Sequence, residues 1–363
     1  ATLLGCGSAA GIDAVFNAPI AGIFFVMEIL LRDFSLKTFT PIVIAAVVAS
    51  ATTRGVLHDS AIFDVGAGFM GADESFGIAQ IPIYLVLGLL SALTAIAFIR
   101  CLKIASDTFG RLPLPQALKP AVGGLLLGIM GLISIMMTGL ADVPSFYGNG
   151  YPVITNLLDP ATYLPSEPDG SLATLVLLVG LLLLLKVVGT SLTIGSGGAG
   201  GMFAPSLLIG AALGGLLGLV LESIGWLPNG SPAHLALVGM AAVLAGTTHA
   251  PLTAILIVYE LTQSYQVILP LMFAAVVSTV VARSLNRNSI YTSRLRDMGI
   301  RVGVMSDLTI LRRLTVSDVS LREPVVVAEE DSAQKLMDLS EEHSTSDIIV
   351  VDQHGIYAGM VTS

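Results

Sequence analysis

Between residues 195 and 205 the chain reads GSGGAGGMFAP, and its five glycines (Gly195, Gly197, Gly198, Gly200 and Gly201) leave the backbone amides unshielded. Phe203, Ala204 and Pro205 then open an apolar helical run; proline suits a first helical turn because its missing N–H has no partner there anyway. The amides just ahead of Pro205 are therefore free. A helix N-terminus with free amides and the positive end of its dipole holds anions. The chemistry on offer is non-covalent capture of a small anion by backbone N–H groups. Close helix packing is the alternative, because Gly197 and Gly201, like Gly210, Gly214 and Gly218, keep the small-xxx-small spacing of membrane helix contacts. A soluble phosphate loop is not supported: no Gly-Lys-Ser/Thr follows the glycines.

Few other polar residues interrupt the apolar runs. Tyr291 offers a phenol that can donate to an anion without adding a charge, or it is an interfacial belt tyrosine. Glu28 and Glu260 are acids within apolar helices, which makes them candidates for a proton or polar pathway; the alternative is a polar helix end. Lys186, inside LLLLLKVVG, either supplies positive potential or snorkels.

These residues are carried by a chain of 363 residues, 54% hydrophobic and 12% charged, with mean hydropathy +0.86. That composition belongs to an integral membrane protein. Apolar runs of helical length fall at 38–54, 78–104, 119–140, 172–194, 205–226, 233–246, 251–262 and 267–284. Residues 1–32 form a pair of shorter helices broken at Asn17-Ala18-Pro19. The connection from Ala141 to Gly170, with five prolines, reads as a surface loop or re-entrant segment. Ala1 starts inside a helix and the last residues stop inside a strand, so both ends read as cuts in a longer protein. Cys6 and Cys101 form neither a disulfide framework nor a metal spacing.

An internal repeat ties the runs together. Ala9–Ile29 aligns without a gap on Ala241–Leu261, matching Ala9, Ala10, Ala18, Pro19, Ile23, Val26 and Glu28 with Ala241, Ala242, Ala250, Pro251, Ile255, Val258 and Glu260. Each copy is a small-residue helix, an Ala-Pro break, and a helix with one Glu nine residues after the proline. Duplicated broken helices point to a transporter built from repeats, with its site where helix ends meet in mid-membrane. An unpaired ion in an apolar interior costs tens of kcal/mol, roughly, against about 0.3–2 kcal/mol from one helix end. Several donors must therefore share the ion.

Together these motifs resemble the CLC family of chloride channels and chloride/proton exchangers. AAGIDAVFNAPIAGIFFVMEI, GNGYPVI, GSGGAGGMFAP, VLAGTTHAPLTAILIVYELT and YQVILP occur in the family's order. The resemblance implies an all-α polytopic fold with inverted repeats of short, broken helices and a homodimer with one pore per subunit. It also implies chloride ligands at the amides of Met202 and Phe203, in the loop with Gly200 and Gly201, and at the hydroxyl of Tyr291. The family's GSGIP and GREGP motifs are not found in this chain. Ile29 stands where many family exchangers carry an inner proton-accepting glutamate, which leans toward a channel and leaves proton antiport as the alternative.

Residues 294–363 are different in kind, with 7 Lys/Arg and 12 Asp/Glu. The expected division is a membrane domain over 1–293, a linker over 294–314, and a partial CBS-like α/β domain over 315–363. The tail is similar to the first part of a CBS module: a strand at Pro324–Ala328, a helix from Ser332 and paired strands near Ile348–Val351 and Ile356–Val361. Complete CBS pairs often bind adenine nucleotides; no other cofactor is expected. The acidic tail argues against nucleic acid, and Arg283, Arg287, Arg294 and Arg296 beside the last span place it in the cytoplasm by the positive-inside rule. A membrane-anchored nucleotide sensor is the reading from another class. An intramembrane enzyme lacks its motifs, since no HExxH or GxSxG occurs.

Overall fold

A computed structural model describes residues 2–57, 62–63, 77–138, 144–163, 172–227, 231–297, 324–343 and 347–362. The chain divides into two compact units, Ala1–Met305 and Ser306–Ser363. In the first, the helices are α1 (Thr2–Phe16), α2 (Pro19–Phe25) continued by a π-helical turn (Val26–Leu31), α3 (Leu36–Leu57), α4 (Ile81–Arg111), α5 (Lys119–Thr138), α6 (Tyr151–Leu158), α7 (Leu172–Gly195), α8 (Phe203–Ser223), α9 (Ser231–Thr248), α10 (Pro251–Thr262), α11 (Ile268–Leu285) and α12 (Ile290–Asp297). Six described helical stretches, in α3, α4, α5, α7, α8 and α11, are long and apolar enough to cross a membrane. The two pairs α1–α2 and α9–α10 are shorter, as the Ala-Pro breaks dictate. Helix α12 runs across the expected boundary at residue 293; beyond Asp297 the expected linker, and the start of the expected tail domain up to residue 323, lie outside the described residues.

The core is built where small residues let helices approach. Helices α8 and α9 pack along Gly210, Gly214 and Gly218: a Cβ on Gly210 would strike the Gly239 carbonyl, one on Gly214 the Leu235 carbonyl, and one on Gly218 Pro232. Leu207, Leu208, Ala211, Leu237, Met240 and Leu244 are almost wholly buried around this contact. The proline-rich connection differs from the loop reading. Gly150 takes a left-handed φ of 84° and Pro152 starts α6, whose Ile154, Leu157 and Leu158 bury against the core. The prolines there begin a helix as well as break one, because a first turn needs no proline N–H.

The second unit is a small sheet with one helix: β1 (Val326–Ala328), α13 (Ala333–His343), β2 (Asp347–Val351) and β3 (Tyr357–Thr362). Strand order is β1-β2-β3; β1 pairs parallel with β2 across the helical crossover, and β2 pairs antiparallel with β3, with an irregularity at Val350/Val351. Gly355 at φ 75° closes the turn between them. The strands and helix fall where the sequence pattern predicts them.

Candidate anion site

Helix α7 ends at Gly195 and α8 begins at Phe203, so the glycine stretch is the link between two helices and Met202 is the N-cap of α8. Leu192, Ile194 and Thr193 carbonyls hold Ser196, Gly197 and Gly198 through their amides at 3.0–3.1 Å, which fixes the turn out of α7. The amides of Gly200, Gly201, Met202 and Phe203 make no hydrogen bond within the described chain. Gly200 and Gly201 are exposed, and a Cβ at Gly201 would meet nothing within 4 Å. Close packing accounts for Gly210, Gly214 and Gly218 but not for Gly201.

One side of this link opens into a cavity of about 420 Å³ lined by Gly148, Asn149, Lys186, Gly189, Thr190, Thr193, Gly200 and Gly201, among others. Lys186 is 2% exposed. Its ammonium donates to the carbonyls of Phe146 (3.0 Å) and Gly148 (2.8 Å), so it does not snorkel; it places a buried positive charge on the wall of that cavity. A second cavity of about 50 Å³ is lined by Lys103, Ser106, Met202, Ile290 and Ser293, among others. The glycine link and the start of α8 thus border two cavities, each with a lysine in its wall.

Aromatic rings gather the remaining residues. Phe203 packs on Phe16 (centroids 5.0 Å apart) and on Phe25 (6.4 Å), and Phe25 meets Tyr291 edge-on at 6.0 Å. Met202 and Tyr291 also border one apolar cluster with Phe98, Ile209 and Ile290. Tyr291, far off in sequence, is therefore carried by α12 to the neighbourhood of the α8 N-terminus.

Glu28 and Glu260 are not brought to this point. The Glu28 carboxylate accepts from the amides of Leu252 (3.3 Å) and Thr253 (2.8 Å) and from the Thr253 hydroxyl (2.8 Å), at the start of α10. The Glu260 carboxylate accepts from the amides of Ile20 (3.0 Å) and Ala21 (2.7 Å), at the start of α2. Each copy's glutamate caps the other copy's broken helix. Since each acid sits near the C-terminal end of its own helix, the two helices run antiparallel and the repeat is inverted.

The breaks themselves match. Among the described residues the four non-glycine residues of positive φ are Asn17 (47°), Arg32 (52°), His249 (61°) and Gln263 (51°). Two flank the second helix of each copy, where ordinary side chains tolerate such backbone only under surrounding constraint. Arg54 Nε donates to Asn17 Oδ1 at 3.2 Å, and Arg283 donates to the His249 carbonyl, so an arginine from the following helix meets each break. The first copy is one residue longer from proline to left-handed cap, Pro19 to Arg32 against Pro251 to Gln263, and the π turn at Val26–Leu31 absorbs the extra residue. The caps, the arginines and the burial of Lys186 are beyond sequence reasoning; a lone Asp13 opposite Ala245 in the aligned copies was the available signal for a further polar group.

Residues 1–283 match the family described as voltage gated chloride channel. A protein of Ralstonia nicotianae described as ClcB-like is 36% identical over 310 residues, 83% of this chain and 65% of the relative. The voltage-gated ClC-type chloride channel ClcB of Escherichia coli O81 (strain ED1a) is 32% identical over 294 residues, 79% of this chain and 63% of that protein. The crystal structure of a slow cyanobacterial Cl-/H+ antiporter superposes with a TM-score of 0.62 at 28% identity, covering 82% of this chain and 64% of that one. The chain thus spans under two thirds of the length of these relatives.

Proposed function

The chain belongs to the voltage-gated chloride channel family, and we propose that it supplies the conducting core of a chloride transport protein, with the anion held at the N-terminus of α8. One observation carries this reading. Of the helices α2, α8 and α10, which begin at breaks between the repeats or in the glycine link, two have their first amides occupied by the protein's own carboxylates, and α8 alone keeps its amides open to a cavity. An ion arriving from either cavity meets free backbone amides there. The amides of Met202 and Phe203 and the hydroxyl of Tyr291 are the ligands in this reading, Gly200 and Gly201 keep the approach clear, and Lys186 and Lys103 raise the local anion concentration. The subunit works as a homodimer in a membrane, with the tail on the cytoplasmic side as the half of a CBS pair.

Transport is channel-like in this reading, because Ile29 cannot carry a proton and Glu28 is held as a helix cap. Proton-coupled exchange is the second reading, favoured by the structural match to a Cl-/H+ antiporter. Reconstituted full-length protein tests both. Gly201→Val should abolish chloride flux without lowering the melting temperature, since the side chain enters open space and covers the amides. Normal flux in that variant would return the glycines to a packing role. In wild-type vesicles a pH gradient alone should drive no sustained chloride accumulation; accumulation would establish exchange instead.

A further inference from the structure

A further cavity shares Phe146 with the one that Lys186 borders, and its chemistry is the reverse. It measures about 310 Å³ and lies between α5, α6 and α7. Leu175, Leu178, Val179, Leu182 and Leu185 form one wall, spaced as a single face of α7. Ile135 of α5 and Val153 of α6 stand on the others. Among the described residues the lining holds no titratable side chain. Its hydroxyls are those of Ser134, Ser145 and Thr162, and Thr162 already donates to the Asn156 carbonyl at 2.6 Å. A water takes about 30 Å³ and needs roughly two to four polar partners, so these hydroxyls cannot satisfy the roughly ten waters that would fill the space. Left empty, it forfeits the contacts of every leucine on its wall. The cavity therefore suits an apolar guest.

Its two ends differ. Gly150 lies against Leu208 and Tyr163 against Gly215, so α6 ascends α8 away from the α8 N-terminus and Thr162, just beyond α6, stands at the far end. Phe146 closes the near end: its carbonyl holds the Lys186 ammonium, and its ring lies beside Gly189, one helical turn past Leu185. From Leu175 to Leu185 the slot runs about 15 Å along α7, at roughly 1.5 Å per residue. What reaches it is set by the outer faces of the same helices. Leu125, Leu132 and Met136 of α5, with Leu177 and Leu184 of α7, are exposed apolar residues on helices long enough to span a membrane. The medium against such faces is hydrocarbon.

We propose that the cavity between α5, α6 and α7 binds one acyl chain of a membrane phospholipid, with its methyl end against Phe146 and its glycerol end toward Thr162. A slot that is long, uncharged, apolar along its length and hydroxyl-bearing at its outer end matches that ligand. The chain fills the space the leucines leave, and it bears on the residue whose carbonyl holds Lys186. The site does not depend on the α8 reading.

Photolabelling tests it, using full-length protein in vesicles of a phosphatidylcholine that carries a diazirine near the methyl end of one acyl chain, with adducts mapped by peptide mass spectrometry. Wild type should carry adducts at the inner residues Phe146 and Leu182 as well as at the outward-facing Leu132 and Leu177. Ile135→Trp and Val153→Trp fill the cavity from two different walls; each that folds should lose the inner adducts and keep the outer ones. Outer adducts alone in wild type overturn the proposal whatever the variants do, and so do inner adducts undiminished in the filled variants. Inner labelling by a diazirine-bearing long-chain alcohol, but not by the phospholipid, would assign the cavity to a free amphiphile and overturn the phospholipid.

Discussion

At the scale of single residues, the contrast between occupied and open helix ends does most to explain the site. Glu28 makes three hydrogen bonds at the first turn of α10, two of them to amides that would otherwise lack a partner. Removing it in Glu28→Ala should cost about 1–2 kcal/mol, the usual worth of a capping group, and lower the unfolding temperature. Glu28→Gln keeps an acceptor and should recover much of that loss. If the two variants unfold alike at the wild-type temperature, the carboxylate is not holding the helix. The lysine in the cavity wall is a different case. A charge between a leucine run and two valines reads equally as buried or snorkelling, and only the arrival of the Phe146 and Gly148 carbonyls from a segment about forty residues earlier decides between them.

At the scale of elements, glycines of the same spacing serve two ends. Gly214 lies under the Leu235 carbonyl and has no room for a side chain. Gly214→Leu should therefore separate α8 from α9 and destabilise the membrane unit by about 1–3 kcal/mol or more, read as loss of folded, monodisperse protein, whereas Gly201→Val should spare folding and stop flux. A stable, active Gly214→Leu would mean that α8 and α9 are not in contact there. The spacing alone is the same for both, so sequence could not separate packing from binding. What was legible was the order of apolar runs, the Ala-Pro breaks and the repeat, because periodicity and proline act locally. What was not legible was the crossing of the caps between copies, which depends on the antiparallel placement of α2 and α10. The short helix α6 is hidden in the sequence for a related reason: proline reads as a breaker, whereas Gly150 and Pro152 together start a turn.

At the scale of the whole molecule, two inverted copies cap each other's second helices with carboxylates, and the start of α8 carries no such cap. The breaks lock together by exchange of carboxylates, the arginines of α3 and α11 meet them, and the loop from Gly195 to Met202 borders two cavities. In the proposed reading, the fold directs anions by elimination as much as by attraction. The most direct measurement is anomalous X-ray scattering from bromide in crystals of the full-length protein, collected for wild type and for Tyr291→Ala. The account predicts a bromide peak within hydrogen-bonding reach of the Met202 and Phe203 amides and the Tyr291 hydroxyl, weakened in Tyr291→Ala, with no peak at the starts of α2 and α10. Bromide at either of those capped ends, with the start of α8 empty, would contradict it.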